Sequence, residues 1–498
     1  MGFRFLIETM NKTINFIFIF LTFSVLGFSD EIKGPIAVEN SLRYPVLIAD
    51  CQNSKMNIFD RMEYYNTPGV SIAVIDNGKL AWAKGYGKIG NANGAVEINE
   101  HTLFQAASIS KSLTAFGAML LVQQGKIHLD DDVNIYLRSW QVPENEYTSI
   151  EKVTLRRLLS HSAGTNVPGF PGYSIDTPLP STKEILDGNS PLVITDPVRV
   201  ILKPGSELRY SGGGTTIVQL LIEDITGECF DVWMQENVLK PLGMIESTFS
   251  QPLPWKYSTF VAYGHLQSGE KVEGNCHVYP EMAAAGLWTT PSDLAKFILY
   301  IQSALKEKKA IPLNFESVKA MTTKQNSLDK SESGLGLFIK HDTNGGLVFS
   351  HNGRNEGFLA KLYGVAIPEQ GVVIMVNNDS AVGLIEEITN GLSDVYGWSD
   401  FKPIIKKKII VDPAIFSGFC GGYFTDENSE IEISVLEDKL LADFKNGFGS
   451  IELHPESEYV YFMQQGEDII KFVKSSSDLI NDLFMISKSN EITKYLRK

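Results

Sequence analysis

Two side chains, Ser108 and Lys111, stand three residues apart in "LFQAASISKSLTAFGAML" (103–120), where a serine-rich turn runs into an apolar stretch. On a helix that spacing puts both on one face, one turn apart. A serine hydroxyl is a weak nucleophile until a neighbouring base takes its proton, and a desolvated lysine amine can be that base. A helix start adds unpaired N–H groups and the positive end of the dipole, which favour developing negative charge. The chemistry would be acyl transfer through a serine ester. The competing reading is a simple helix cap, since serine is a favoured N-cap. The same spacing recurs at Ser303 and Lys306, there without "LFQAAS" before a long apolar helix. Ser110 and Ser112 have no lysine three residues on and read as structural.

Two later segments carry residues of the same kind. Tyr210 lies in "ELRYSGGGTTIVQLLIEDITG" (207–227), a Gly-rich loop leading into an amphipathic helix that Gly227 closes. A tyrosine there could shuttle a proton between a serine and a leaving group, or pack its ring under the loop. His351 lies in "FSHNGRNEGF" (349–358), with Gly353 two residues on, where a substrate backbone could lie close alongside the strand. His351 could orient a carboxylate or carbonyl, relay a proton, or be one of eight histidines that happens to fall at a strand end. The chain has no HxH or HExxH, so the sequence speaks against a zinc hydrolase, and it implies neither a metal nor an organic cofactor.

The elements that must position these residues come from both ends of the region. "GVSIAVIDNGKLAWAKGYG" (69–87) reads as a hairpin turning at Asp76-Asn77-Gly78. Strand patterns return at 334–340, 345–353 and 360–379, with a helical, Pro- and Gly-punctuated middle from about 130 to 305. A sheet built from both ends around a helical insert is an α+β arrangement. Beyond a break near 397–413, short alternating runs up to Lys498 predict a separate small β domain. The expected organisation is a leader over 1–29, a main domain over 30–400 and the β domain over 401–498.

Length, 498 residues, and a hydrophobic fraction of 43% suit a two-domain globular chain. A formal net charge of -15 speaks against nucleic acid as a partner. Lys12 followed by "INFIFIFLTFSVLGFS", with small Gly27 and Ser29 closing the run, reads as a secretory signal, so the chain is expected to be exported, periplasmic or secreted. The alternative is an uncleaved anchor, the one circumstance in which a membrane would be a partner. Cys51, Cys229, Cys276 and Cys420 show neither a CxxC pair nor ligand spacing, and their pairing is left open.

Serine-x-x-lysine, then a tyrosine motif about one hundred residues on, then a Lys/His-x-Gly strand resembles the serine β-lactamase and penicillin-binding-protein superfamily. The chain is most similar to its branch of class C-type β-lactamases, D-aminopeptidases, DD-carboxypeptidases and related esterases. The hairpin at 68–87, "TLRRLLSHSAG" (154–164) and "AAGLWTTPSDLAKF" (284–297) match further segments of that branch, so the resemblance covers about 60–380. It implies an antiparallel sheet flanked by helices with a helical subdomain, and a lipocalin-like C-terminal β domain. Carried over, Ser108 is the nucleophile, with Lys111 and Tyr210 sharing the proton work. His351, Asn352, Gly353 and Arg354 bind substrate, the N–H groups of Ser108 and Arg354 holding the oxyanion.

Two departures bear on substrate. The family's Tyr-x-Asn is Tyr210-Ser211-Gly212, and its Lys-Thr-Gly is His351-Asn352-Gly353. Both weaken the case for efficient β-lactam hydrolysis. The expected activity is an exported serine hydrolase acting on a D-amino-acid peptide or small ester, with peptidoglycan-derived peptides among the expected substrates. The alternatives are a true β-lactamase or cell-wall DD-carboxypeptidase, and an inactive, ligand-binding member of the fold.

Overall fold

Gly69–Asp76 (β1) is apolar at nearly every position, a pattern for a strand covered on both faces, and it is buried along its length except at Asp76. The computed structural model describes residues 33–497 apart from 52–53, 91–95, 309–310, 326–331, 426–428, 446–448 and 475–479. The expected signal segment at 1–29 lies outside the described residues. β1 turns through Asn77 and Gly78, both at positive φ, into Lys79–Gly87 (β2). Four strands from the far side of the chain complete the sheet: Phe338–His341 (β3), Leu347–Asn355 (β4), Phe358–Val365 (β5) and Gln370–Val376 (β6). Among the described residues the order is β2-β1-β6-β5-β4-β3, antiparallel throughout.

Between β2 and β3 the chain builds the helical part, with Ser110–Gln123 (α1), Gly212–Thr226 (α2), Met282–Ala285 (α3) and Pro291–Glu307 (α4). α1 is buried at every position from Ser110 to Leu121, as befits a helix running through a core rather than along a surface. Ala73, Ile75, Phe349, Leu362 and Met375 join one sheet face to this helical core. Ile72, Val74, Leu359, Tyr363 and Ile374 cover the other face together with Val382–Tyr396 (α5).

Two strands differ from the sequence reading. The segment expected to be extended from 334 becomes a strand only at Phe338. Before it, Leu335 N–H donates to Met321, Gly336 N–H donates to Leu159, and the Ser112 hydroxyl donates to the Gly336 carbonyl. Those backbone groups are claimed by the helical part and cannot join a ladder. β4 begins later and ends later than expected, running through His351-Asn352-Gly353 to Asn355.

From Gly421 to Arg497 eight strands form a closed barrel, the first (Gly421–Phe424) pairing with the last (Ile492–Arg497). Closure removes the exposed edges that a small sheet would otherwise present. Ile404–Lys406, just before the barrel, pairs in parallel with Val46–Ile48, and Phe462 of the barrel packs on Val46 and Ile48. No helix among the described residues is long and apolar enough to cross a membrane. All four cysteines are free thiols.

Candidate active site

A short strand, Phe104–Gln105, delivers the chain to a tight turn over Ala107–Ile109 that feeds directly into α1. Ala107 sits at φ 49, a left-handed conformation that costs a side-chain-bearing residue about 1–2 kcal/mol. The turn leaves Ser108 half-buried at the head of the helix while Ala107 and Ile109 on either side are fully covered. One turn on, Lys111 is buried and its ammonium donates to Ser108 Oγ at 2.9 Å and to the Ala284 carbonyl at 2.8 Å. That carbonyl belongs to α3, so the lysine is held from two sides. Ser110 donates to the Ala107 carbonyl at 2.5 Å and accepts the Leu287 N–H at 3.0 Å, bracing the turn. Neither Ser110 nor Ser112 faces the lysine.

Tyr210 completes the cluster from the loop ahead of α2, whose first turn is capped by the Ser211 hydroxyl accepting the Gly214 N–H. Its ring centroid is 5.0 Å from the Lys111 ammonium and 4.4 Å from the ring of His161. His161, itself at φ 55, brackets the tyrosine along the chain: its carbonyl accepts the Arg209 N–H at 2.7 Å and its Nδ1 accepts the Ser211 N–H at 3.3 Å. The sequence reading quoted His161 within a matching segment but gave it no part. Phe338, at the start of β3, closes the aromatic wall, 6.3 Å from Tyr210 and 5.4 Å from His351 between centroids.

His351 is buried beside this wall, its ring 6.2 Å from that of Tyr210. Nδ1 lies 2.7 Å from the Asn352 carbonyl, which only accepts, so Nδ1 carries the proton. Burial, with the Lys111 charge added, pushes the imidazole pKa down to about 3. The ring is therefore neutral at any working pH, and Nε2 is a bare acceptor with no partner among the described residues. An acceptor of this kind attracts a substrate carboxylate less than an ammonium would. Burial and the charge of Lys111 likewise keep His161 well below the ordinary histidine range.

Gly353 is also constrained by packing. A Cβ there would stand 2.1 Å from the Ala106 carbonyl and 3.1 Å from Ala107 Cβ. The glycine admits the nucleophile turn against the face of β4. β4 thus lies directly against the turn that carries Ser108. β3 pairs with β4 only over Leu347–Ser350, leaving the β4 edge from His351 onward without a strand neighbour on that side among the described residues. An unpaired strand edge beside the nucleophile turn is where backbone N–H groups could meet an oxyanion. The side chains of Asn352 and Arg354 alternate with His351 and Gly353 and are exposed. Behind the turn, buried Asn355 donates to Gln105 at 2.8 Å and to the Ala285 carbonyl at 3.1 Å, tying β4 to both walls.

A further residue had no signal in the sequence. Glu281, the residue before α3, is fully buried, and neither carboxylate oxygen has a partner among the described residues. Burial raises its pKa from 4.5 to about 8. Between those values the native state holds a proton that the unfolded chain has lost, so the acid's contribution is complete below about pH 4.5 and gone by about pH 8. Glu281→Gln is expected to flatten that fall, stabilising the protein relative to wild type by on the order of 2–4 kcal/mol at pH 8 and little at pH 5. Urea unfolding at the two pH values measures the difference.

Compared with known proteins, residues 56–383 match the profile of the family described as Beta-lactamase. Protein flp of Staphylococcus aureus is 26% identical over 330 residues, which are 63% of this chain and 60% of that protein. The chain thus spans about 60% of the length of these staphylococcal relatives. A penicillin-binding protein of Bacillus subtilis is 22% identical over 393 residues, 74% of this chain and 82% of that one. The octameric penicillin-binding protein homologue from Pyrococcus abyssi superposes with a TM-score of 0.58 at 22% identity, over 88% of this chain and 98% of that structure. At that identity the likeness is one of fold.

Proposed function

This chain belongs to the beta-lactamase family, whose profile spans residues 56–383, and on that premise we propose that it hydrolyses small esters or D-amino-acid amides through an acyl-enzyme on Ser108. The observation that carries the proposal is the 2.9 Å contact between Lys111 Nζ and Ser108 Oγ, at the floor of a wall made by Tyr210, His161 and His351. In the amine form, Lys111 takes the serine proton as Oγ forms a bond to the substrate carbonyl carbon. The carbonyl oxygen becomes an oxyanion, held by the N–H groups of Ser108 and Arg354. Collapse breaks the bond to the leaving alkoxide or amine, which takes a proton from Lys111 or Tyr210. Water then attacks the acyl-enzyme by the same route in reverse, releasing acid and free Ser108.

Substrate choice follows from what is missing around the serine. The neutral His351, with Nε2 bare, offers no cation to a substrate carboxylate, and the amide side chain of the family's Tyr-x-Asn is replaced by Gly212. Both features favour substrates whose far side is uncharged over carboxylate-terminated peptides and β-lactams. The same proposal extends to export, on the strength of the apolar run after Lys12. A single comparison tests the substrate reading: a short p-nitrophenyl ester, a D-amino-acid p-nitroanilide, a chromogenic cephalosporin and a D-Ala-D-Ala peptide. The ester or anilide is expected to lead by about tenfold or more in kcat/KM, a margin of one lost charge contact. A lead for the cephalosporin or the D-Ala-D-Ala peptide overturns it, and binding of all four without turnover marks an inactive member.

A further inference from the structure

Behind the active-site strand, where the main domain meets the barrel, lies a cavity of about 510 Å³. Four lysines line it: Lys340 from β3, Lys361 from β5, Lys402 from the connection and Lys488 from the barrel. Three carboxylates, Glu386, Asp400 and Glu467, share the lining, so the cavity carries a slight positive excess in a chain of net charge -15. Two of the four are neutralised, Lys340 by Asp400 at 2.7 Å and Lys488 by Glu467 at 2.6 Å. Asp400 is further engaged by the Tyr363 hydroxyl at 2.8 Å. Lys361 and Lys402 make no hydrogen bond or ion pair among the described residues.

Lys361 is the informative one. It stands on the sheet face that packs against α5, directly across from Asn352 of β4. Its ammonium is 4.9 Å from the ring centroid of Phe401, a ring that Lys340 also approaches at 5.6 Å. Phe401 sits at φ 62, a conformation that side-chain-bearing residues seldom adopt. A cation–π contact offsets part of the cost of a desolvated ammonium, about 0.5–2 kcal/mol, and leaves its charge uncancelled. Burial, opposed by Glu386 across the cavity, lowers its pKa to about 8, so it still carries charge at neutral pH. Glu386 balances part of that charge at a distance, without an ion pair, and the cavity beside Lys361 is polar and large enough for a small anion.

We propose that this seam cavity is a binding site for a small oxyanion, a phosphate or a carboxylate, held between Lys361 of the main domain and Lys402 at the foot of the barrel. A bound anion bridges the two ammoniums that lack an ion pair and ties the barrel to the back of β4. The proposal is independent of the hydrolytic reading, because none of these residues touches Ser108.

The test is thermal unfolding of the full chain in rising inorganic phosphate, and separately in rising acetate, against chloride at matched ionic strength. Wild type is expected to gain about 2–4 °C with a saturable dependence, the ion that saturates at lower concentration naming the class. Lys361→Met is expected to lose the gain while keeping wild-type esterase activity. If Lys361→Met does not fold, Lys402→Gln, an exposed change, carries the same reading. Absence of a saturable gain in wild type, or variants that retain it in full, overturns the proposal.

Discussion

Ser108→Ala is expected to eliminate the covalent acyl-enzyme and to lower turnover by about 10⁴-fold or more, while the melting temperature stays near wild type. The two halves of that expectation rest on different contacts. Chemistry needs the Oγ that Lys111 approaches at 2.9 Å, and nothing else among the described residues stands in its place. Stability does not need it: Lys111 keeps its bond to the Ala284 carbonyl, and the turn keeps the Ser110 bonds to Ala107 and Leu287. Mass spectrometry after a fluorophosphonate reads the adduct directly. A variant that still gains the mass of the probe, or that hydrolyses ester at the wild-type rate, places the nucleophile elsewhere.

Gly353→Ala is expected to be nearly as damaging, about 10²–10³-fold in kcat, although it removes no functional group. The added methyl would stand 2.1 Å from the Ala106 carbonyl, well inside contact distance, so strand and turn must separate by about an ångström. Ala107, held left-handed next to that carbonyl, has little freedom to absorb the shift. Ser108 then moves relative to the β4 edge that would receive the oxyanion. The signature is a fall in kcat with KM changed far less, together with slower labelling by the fluorophosphonate. Unaltered kcat in a folded Gly353→Ala would mean that β4 and the nucleophile turn move as one body.

Much of the arrangement was legible from residue types and their order. Ser108 and Lys111 could be paired by spacing, because a helix turns one residue type into a neighbour of another at a fixed offset. The hairpin through Asn77-Gly78 and the separate β domain announced themselves through local patterns that the structure realises as strands. What could not be read depends on residues brought together by packing. The Ala284 carbonyl has no side chain to notice, and His161 acts through its backbone and one ring nitrogen on residues fifty positions away. Glu281 looks like any surface glutamate until the fold closes over it. The tautomer of His351 depends on a carbonyl whose direction only the strand defines.

The sheet has one more consequence, for the order in which the protein becomes active. Ser108 and Lys111 leave the ribosome together, but β4 and its partners follow only about 240 residues later. At about 5–20 residues per second, the serine waits roughly ten to fifty seconds for the strand that would hold its oxyanion. The nascent chain thus carries its serine and lysine well before the strand edge that completes their site.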